Sequence, residues 1–208
     1  MADHMRGRPR ASAGHADEKG ALAEKDEGAG RGGLSGILWF LGPVVGAVLV
    51  ALVIKTFVVT PYVVPTGSML ETIQEGDMLL GECVTLHFHE PEQGEIVTFL
   101  SPLDGETLIK RVIAVGGQTV DLVDGQVYVD GERLDEPYTE DKPTYSLSDY
   151  VGSAGIEYPY TVPEGTVWVM GDNRTNSRDS RYFGPVDVDD VTSRALFIYW
   201  PPSDIGGL

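Results

Sequence analysis

Three short stretches, far apart in the chain, hold side chains that together could carry out acyl transfer. Pro65-Thr66-Gly67-Ser68-Met69 places a serine directly after a glycine turn. Lys110 stands in the apolar run Thr107-Leu108-Ile109-Lys110-Arg111-Val112-Ile113-Ala114-Val115, and Gly171-Asp172-Asn173-Arg174-Thr175-Asn176-Ser177-Arg178-Asp179-Ser180-Arg181 is dense in polar groups. Serine is a poor nucleophile until a neighbouring base takes its proton, and that base is usually histidine. Histidine is scarce here: His4 and His15 precede a long apolar segment, which leaves His87 and His89. Lysine is as scarce beyond that segment and its flank, with Lys110 and Lys142 alone. A serine nucleophile with a lysine base, and so a hydrolase working by acyl transfer, is the chemistry these residue types allow.

Each part also has an ordinary reading. As a strand residue Lys110 shares a face with Leu108, Val112 and Ala114, where desolvation lowers an amine's pKa and favours the neutral base. The same lysine near a strand end could instead extend its stem and reach solvent. Ser68 could stand at the exposed point of a turn, or it could cap a helix with Glu71 completing a capping box. His87 and His89 alternate along Thr85-Leu86-His87-Phe88-His89-Glu90 and could pair on a metal or end a strand in solvent. With no further His or Cys beyond the apolar segment except Cys83, no metal site is expected. Lys142 falls in a polar stretch as a solvated charge, and Arg111, which cannot deprotonate, reaches a carboxylate or the surface. Asp179 and Arg181 could pair and hold their loop, leaving Ser177 to present its hydroxyl inward. GxSxG, SxxK, HExxH and GK[ST] motifs are all absent.

The elements that must position these groups divide the chain in three. Residues 1–35 are rich in Gly, Ala and charge, with almost no large apolar side chains, and are expected as a disordered cytoplasmic tail. Residues 36–56 are expected to span a membrane: from Ile37 to Ile54 eighteen residues pass without a charge, roughly 27 Å as a helix. Trp39 suits an interface and Pro43 is tolerable in such a helix. A cleaved signal peptide is the alternative, but the run is long for one and no Ala-X-Ala site follows it. Arg6, Arg8, Arg10, Lys19, Lys25 and Arg31 precede the span and no Lys or Arg occurs from Thr56 to Ile109, which puts the tail in the cytoplasm and residues 57–208 outside.

Those outer residues read as short strands punctuated by Gly, Asp and Pro: Met78 to Leu86, Glu95 to Leu100, Leu108 to Val115, Thr119 to Val123, Val127 to Val129, Val167 to Met170 and Ala195 to Trp200. No helical periodicity interrupts them, so the domain is expected to be all-β and mostly antiparallel. Asp124-Gly125 and Asp130-Gly131 mark at least one tight hairpin, and residues 132–163 form a loop-rich insertion. Cys83, the single cysteine, forms no disulfide and is a small apolar residue within a strand. Residues 56–208 carry 8 Lys and Arg against 26 Asp and Glu, a formal charge of −18, which excludes nucleic acid as a partner.

With Ser68, Lys110 and the 171–181 loop together behind an N-terminal anchor, the chain resembles type I signal peptidase, the bacterial membrane-anchored leader peptidase. The resemblance implies a serine endopeptidase with a Ser-Lys dyad that removes signal peptides from exported preproteins after small residues (Ala-X-Ala). Its fold would be the β domain shared with the self-cleaving SOS repressors. Ser68 matches the nucleophile and Lys110 its base. Thr66 matches the side-chain donor of an oxyanion hole shared with the Ser68 backbone N–H. Ser177 matches the residue that holds the lysine amine, Asp179 and Arg181 a supporting pair, and Tyr62, Val64, Ile73 and Ile109 the shallow pockets for small substrate side chains. The partners implied are preprotein signal peptides and membrane phospholipid, with a monomer as the default and no cofactor or metal. Glu71, where relatives often carry proline, and Gly116-Gly117-Gln118, in place of a Gly-Asp ending, depart from the family pattern. A peptidase dedicated to pilin-like or conjugation proteins, and a tethered domain that binds peptides without cleaving them, are the competing functions.

Overall fold

The structure, a computed structural model, describes residues 32–208, so nearly all of the expected tail lies outside the described residues. Helix α1 runs Gly32–Phe57, past both ends of the segment expected at 36–56, and contains Pro43. Every side chain from Trp39 to Leu52 is exposed, Trp39 at 82% and Phe40 at 71%. Among the described residues no helix is long and apolar enough to cross a membrane; the side chains at both ends of the expected span lie outside the description.

Beyond α1 the chain is a succession of strands: β1 Val59–Val63, β2 Met78–Glu82, β3 Ile96–Leu100, β4 Thr107–Val115, β5 Thr119–Val123, β6 Gln126–Val129, β7 Glu132–Arg133, β8 Tyr160–Thr161, β9 Thr166–Met170, β10 Val186–Asp187, β11 Val191–Trp200 and β12 Gly206–Gly207. The main sheet has the order β1-β2-β11-β3-β4-β9-β10, with β12 added to β11; a second sheet has the order β7-β6-β5-β8. Every described pairing is antiparallel, as the alternating apolar pattern and short turns required. The β5–β6 connection is Asp124-Gly125, both with positive φ (50° and 78°), the two-residue turn whose twist matches that of paired strands.

β4 is the pivot of the molecule. It lies between β3 and β9, and its register against β9 slips between Val112 and Ala114. A one-residue slip exchanges the faces of all that follows. Val112 therefore packs with Val97, Phe99, Val169 and Val186, whereas Ile113 and Ala114 pack with Val120, Val127 and Trp168 under the second sheet. The expectation that Ala114 shares the Lys110 face is corrected by this bulge.

Two further expectations change. The strand expected from Met78 to Leu86 stops at Glu82, and Thr85–His87 is a single 3-10 turn. Glu82 accepts from Thr85 N at 2.9 Å and His87 Nδ1 bonds to Cys83 O at 2.8 Å, so local side-chain bonds replace the sheet ladder here. His87 and His89 consequently do not alternate on a strand, and Cys83 follows one rather than lying within it. Residues 132–163 contribute β7 and β8 to the second sheet.

Candidate active site

Lys110 sits in the interior of β4, opposite Val97 of β3. On the other side the pairing of β4 with β9 begins one residue on, at Arg111, and Lys110 is 2% exposed, which rules out escape to solvent. Its Nζ donates to Ser68 Oγ at 2.9 Å and to Ile109 O at 2.8 Å. Burial pulls the amine pKa from 10.5 down to about 8, against the opposing pull of the Asp179 and Asp172 carboxylates.

Ser68 lies in the one-turn 3-10 helix Gly67–Met69 and is buried, not at an exposed point. Thr66 precedes this turn in an extended conformation and does not cap it. The alternative of a capping box with Glu71 is not adopted: Glu71 Oε2 accepts instead from Gln74 Nε2 at 3.3 Å. The first N–H groups of a helical turn have no partner within it, and here that turn borders a cleft. Thr66, Ser68, Lys110, Ser101, Asp104 and Glu106 are among the residues lining a cleft of about 300 Å³.

The loop after β9 holds the turn from below. Asn173 Nδ2 donates to Gly67 O at 2.9 Å and Asn173 N to Ser68 O at 3.1 Å. A side chain on Gly171 would overlap Ser177 Oγ and Ser68 O, so only glycine lets the loop approach so closely. Asp179, fully buried, accepts from Gly171 N at 3.0 Å and from Arg181 Nε and Nη2 at 2.8 Å each. Burial alone would raise its pKa, but the Arg181 guanidinium and these hydrogen bonds outweigh it and hold the carboxyl below the usual range. Asp179 also caps the short helix α2, Ser180–Phe183. Arg111 reaches a carboxylate: its Nε and Nη2 donate to Asp172 at 2.9 and 2.7 Å, and Thr72 Oγ1 donates to the same Asp172 at 2.6 Å.

Ser68, Lys110, Thr66, Ser177, Asp179 and Arg181 thus converge. Ser177 Oγ is buried beside Gly171 and helps keep Asp179 ionised, yet it has no hydrogen bond of ordinary geometry, and the bonds of Lys110 run to Ser68 and Ile109. Val64 and Ile73 are buried in one apolar cluster with Met69, Leu79 and Ile198, with Tyr62 and Ile109 packed at its margin; none of the four lines the cleft. His87 and His89 are exposed and lie outside it.

Sequence reasoning gave no role to Asn173, Arg174 or Glu136. Arg174 is 2% exposed and forms a two-bond pair with Glu136 at 2.6 and 2.9 Å. The polar density of 171–181 directly after an apolar strand was the available signal. Nothing in the polar 132–163 stretch marked Glu136 as its partner.

Comparison with known proteins gives the family. The family described as "Signal peptidase, peptidase S26" matches residues 37–200. The chain is 41% identical to the "Probable signal peptidase I-1" of Synechocystis sp., over 78% of this chain and 82% of that one. It is 35% identical to the "Signal peptidase I" of Leptolyngbya laminosa, over 78% and 79%. The crystal structure of a signal peptidase I from Enterococcus faecalis V583 covers 51% of this chain and 97% of its own at 32% identity and a TM-score of 0.42. The chain belongs to the signal peptidases of the peptidase S26 family.

Proposed function

We propose that this signal peptidase cleaves by a Ser68–Lys110 dyad, removing signal peptides after small residues (Ala-X-Ala). The observation that carries the reading is the 2.9 Å contact between Lys110 Nζ and Ser68 Oγ around an amine buried to 2% exposure. Neutral Lys110 accepts the Ser68 proton as Oγ adds to the scissile carbonyl. The tetrahedral oxygen takes hydrogen bonds from the Ser68 N–H and Thr66 Oγ1. The resulting ammonium gives its proton to the departing amine, and the acyl-serine is hydrolysed by water deprotonated at the same nitrogen. Ser177, Asp179 and Arg181 keep the lysine and the 171–181 loop in place. Tyr62, Val64, Ile73 and Ile109, grouped in and around the apolar cluster that includes Met69, the residue after Ser68, are assigned to the small-residue subsites.

The proposal extends to topology: a cytoplasmic tail at 1–35, an anchor at 36–56 in contact with phospholipid, and a monomeric catalytic domain at 57–208 outside, with its insertion near 132–163. Support comes from the uncharged run Ile37 to Ile54 and the basic residues before it, and from the exposure of every side chain from Trp39 to Leu52.

The test uses detergent-purified protein with a preprotein substrate, read by gel shift. Ser68→Ala and Lys110→Arg are both expected to be inactive, the second because guanidinium cannot act as a base. Full cleavage by Lys110→Arg would overturn the dyad.

A further inference from the structure

The insertion holds a short strap, residues 134–144, tied at both ends to the β5–β6 hairpin: Leu134 N donates to Val127 O at 2.9 Å and Thr144 N to Gly125 O at 2.9 Å. From this strap the Glu136 carboxylate accepts from Arg174 Nη2 at 2.6 Å and Nη1 at 2.9 Å, and from Tyr138 OH at 3.1 Å. Thr144 Oγ1 accepts a further bond from Arg174 Nη1 at 2.9 Å. The Tyr138 ring covers the Arg111 guanidinium at 4.0 Å, the same guanidinium that grips Asp172. Arg174 passes the hold inward: its Nε donates to Gly171 O at 3.0 Å and its own carbonyl accepts from Arg181 Nη2 at 3.0 Å. Its chain neighbour is Asn173, which holds the carbonyls of Gly67 and Ser68.

We propose that the strap is a positioning device for the nucleophile, with Glu136 acting through Arg174 and Asn173 to fix the Gly67–Ser68 turn; the inference rests on Ser68 as the nucleophile. Arg174 is buried and Glu136 is the carboxylate bonded to it. Without that carboxylate the guanidinium is a buried charge lacking its partner and must move or draw in water. Asn173 then shifts with it, and the Ser68 N–H loses its aim. A displacement of about 1 Å at reacting atoms costs on the order of a hundredfold in rate. Neither Glu136 nor Arg174 lines the cleft, so substrate binding is left alone.

The experiment measures kcat and KM for preprotein cleavage by the full chain in detergent, well below its melting temperature, for Glu136→Ala, Glu136→Gln and Arg174→Lys. Ser68→Ala and Glu140→Gln, an exposed carboxylate on the same strap, are the controls. Glu136→Ala is expected to lose about a hundredfold in kcat at unchanged KM. Glu136→Gln keeps one acceptor for the guanidinium and is expected to recover about tenfold of that loss. Arg174→Lys, which cannot form the two-bond fork, should match Glu136→Gln, and Glu140→Gln should match wild type. A wild-type kcat in both Glu136 variants with only a lowered melting temperature, or a loss confined to KM, would overturn the strap as a positioning device. If Glu136→Ala does not fold, Glu136→Gln decides alone. Cleavage by Ser68→Ala would instead remove the nucleophile assignment on which the inference stands.

Discussion

The proposed role of Lys110 as a base rests on where β4 puts it. An exposed lysine is almost fully protonated at neutral pH; with the pKa drawn down to about 8, about a tenth of the amines are neutral at pH 7. Cleavage should therefore rise about tenfold per pH unit below 8 and level off above it, as read from initial rates between pH 5 and 10. A flat profile would remove Lys110 from the proton transfer. The same shift bears on stability. The folded chain binds fewer protons than the unfolded one between about 8 and 10.5, so burial of the ammonium destabilises the fold below pH 8, and that penalty fades as pH rises through this window. Asp179 has the opposite sign: its carboxyl is held below 3.8, so its contribution is present above that value and lost as pH falls through the folded pKa.

Among the elements, the bulge in β4 decides how the two sheets are joined. By exchanging faces between Val112 and Ala114 it puts Ala114 with Ile113 toward Trp168, which is fully buried and packs against Tyr158 and Tyr160 at centroid distances of 6.1 and 4.9 Å. Trp168 lies on β9, two residues before Met170 and the 171–181 loop. Trp168→Ala should cost about 3–5 kcal/mol, measured by urea unfolding, while leaving kcat near wild type at temperatures where the variant remains folded. A loss of kcat without loss of stability would mean that the strand positions the loop through this side chain rather than through its backbone ladder. The short loop elements depend on side-chain capping instead: Asp179 starts α2, and Asp187 accepts from Asp189 N at 2.9 Å to start the next turn.

At the scale of the whole molecule, charge and hydropathy are segregated along the chain. The basic residues before Ile37 and the lack of Lys and Arg from Thr56 to Ile109 predict the orientation stated above. Protease added to intact spheroplasts should attack residues 57–208 and spare an epitope placed at the N-terminus; in inverted vesicles the outcome should reverse. Loss of the epitope in intact spheroplasts would contradict the topology.

The sequence by itself carried the antiparallel β character, the Asp124-Gly125 hairpin, and the scarcity of bases that singled out Lys110. Such features are local, since they depend on period, turn chemistry and the count of residue types. It left Lys110 open between a buried amine and a lysine reaching solvent, because a strand's pattern does not reveal what lies on either side of it. Only the tertiary structure decided that question, by setting β3 and β9 against β4 and bringing Ser68 to the amine. It also ended β2 at Glu82, where local side-chain bonds replace the ladder, and moved Ala114 off the Lys110 face through a bulge that has no sequence mark. The Glu136–Arg174 pair joins residues 38 apart in sequence. Contacts of that range follow from how the sheets pack, and no local pattern in either segment encodes them.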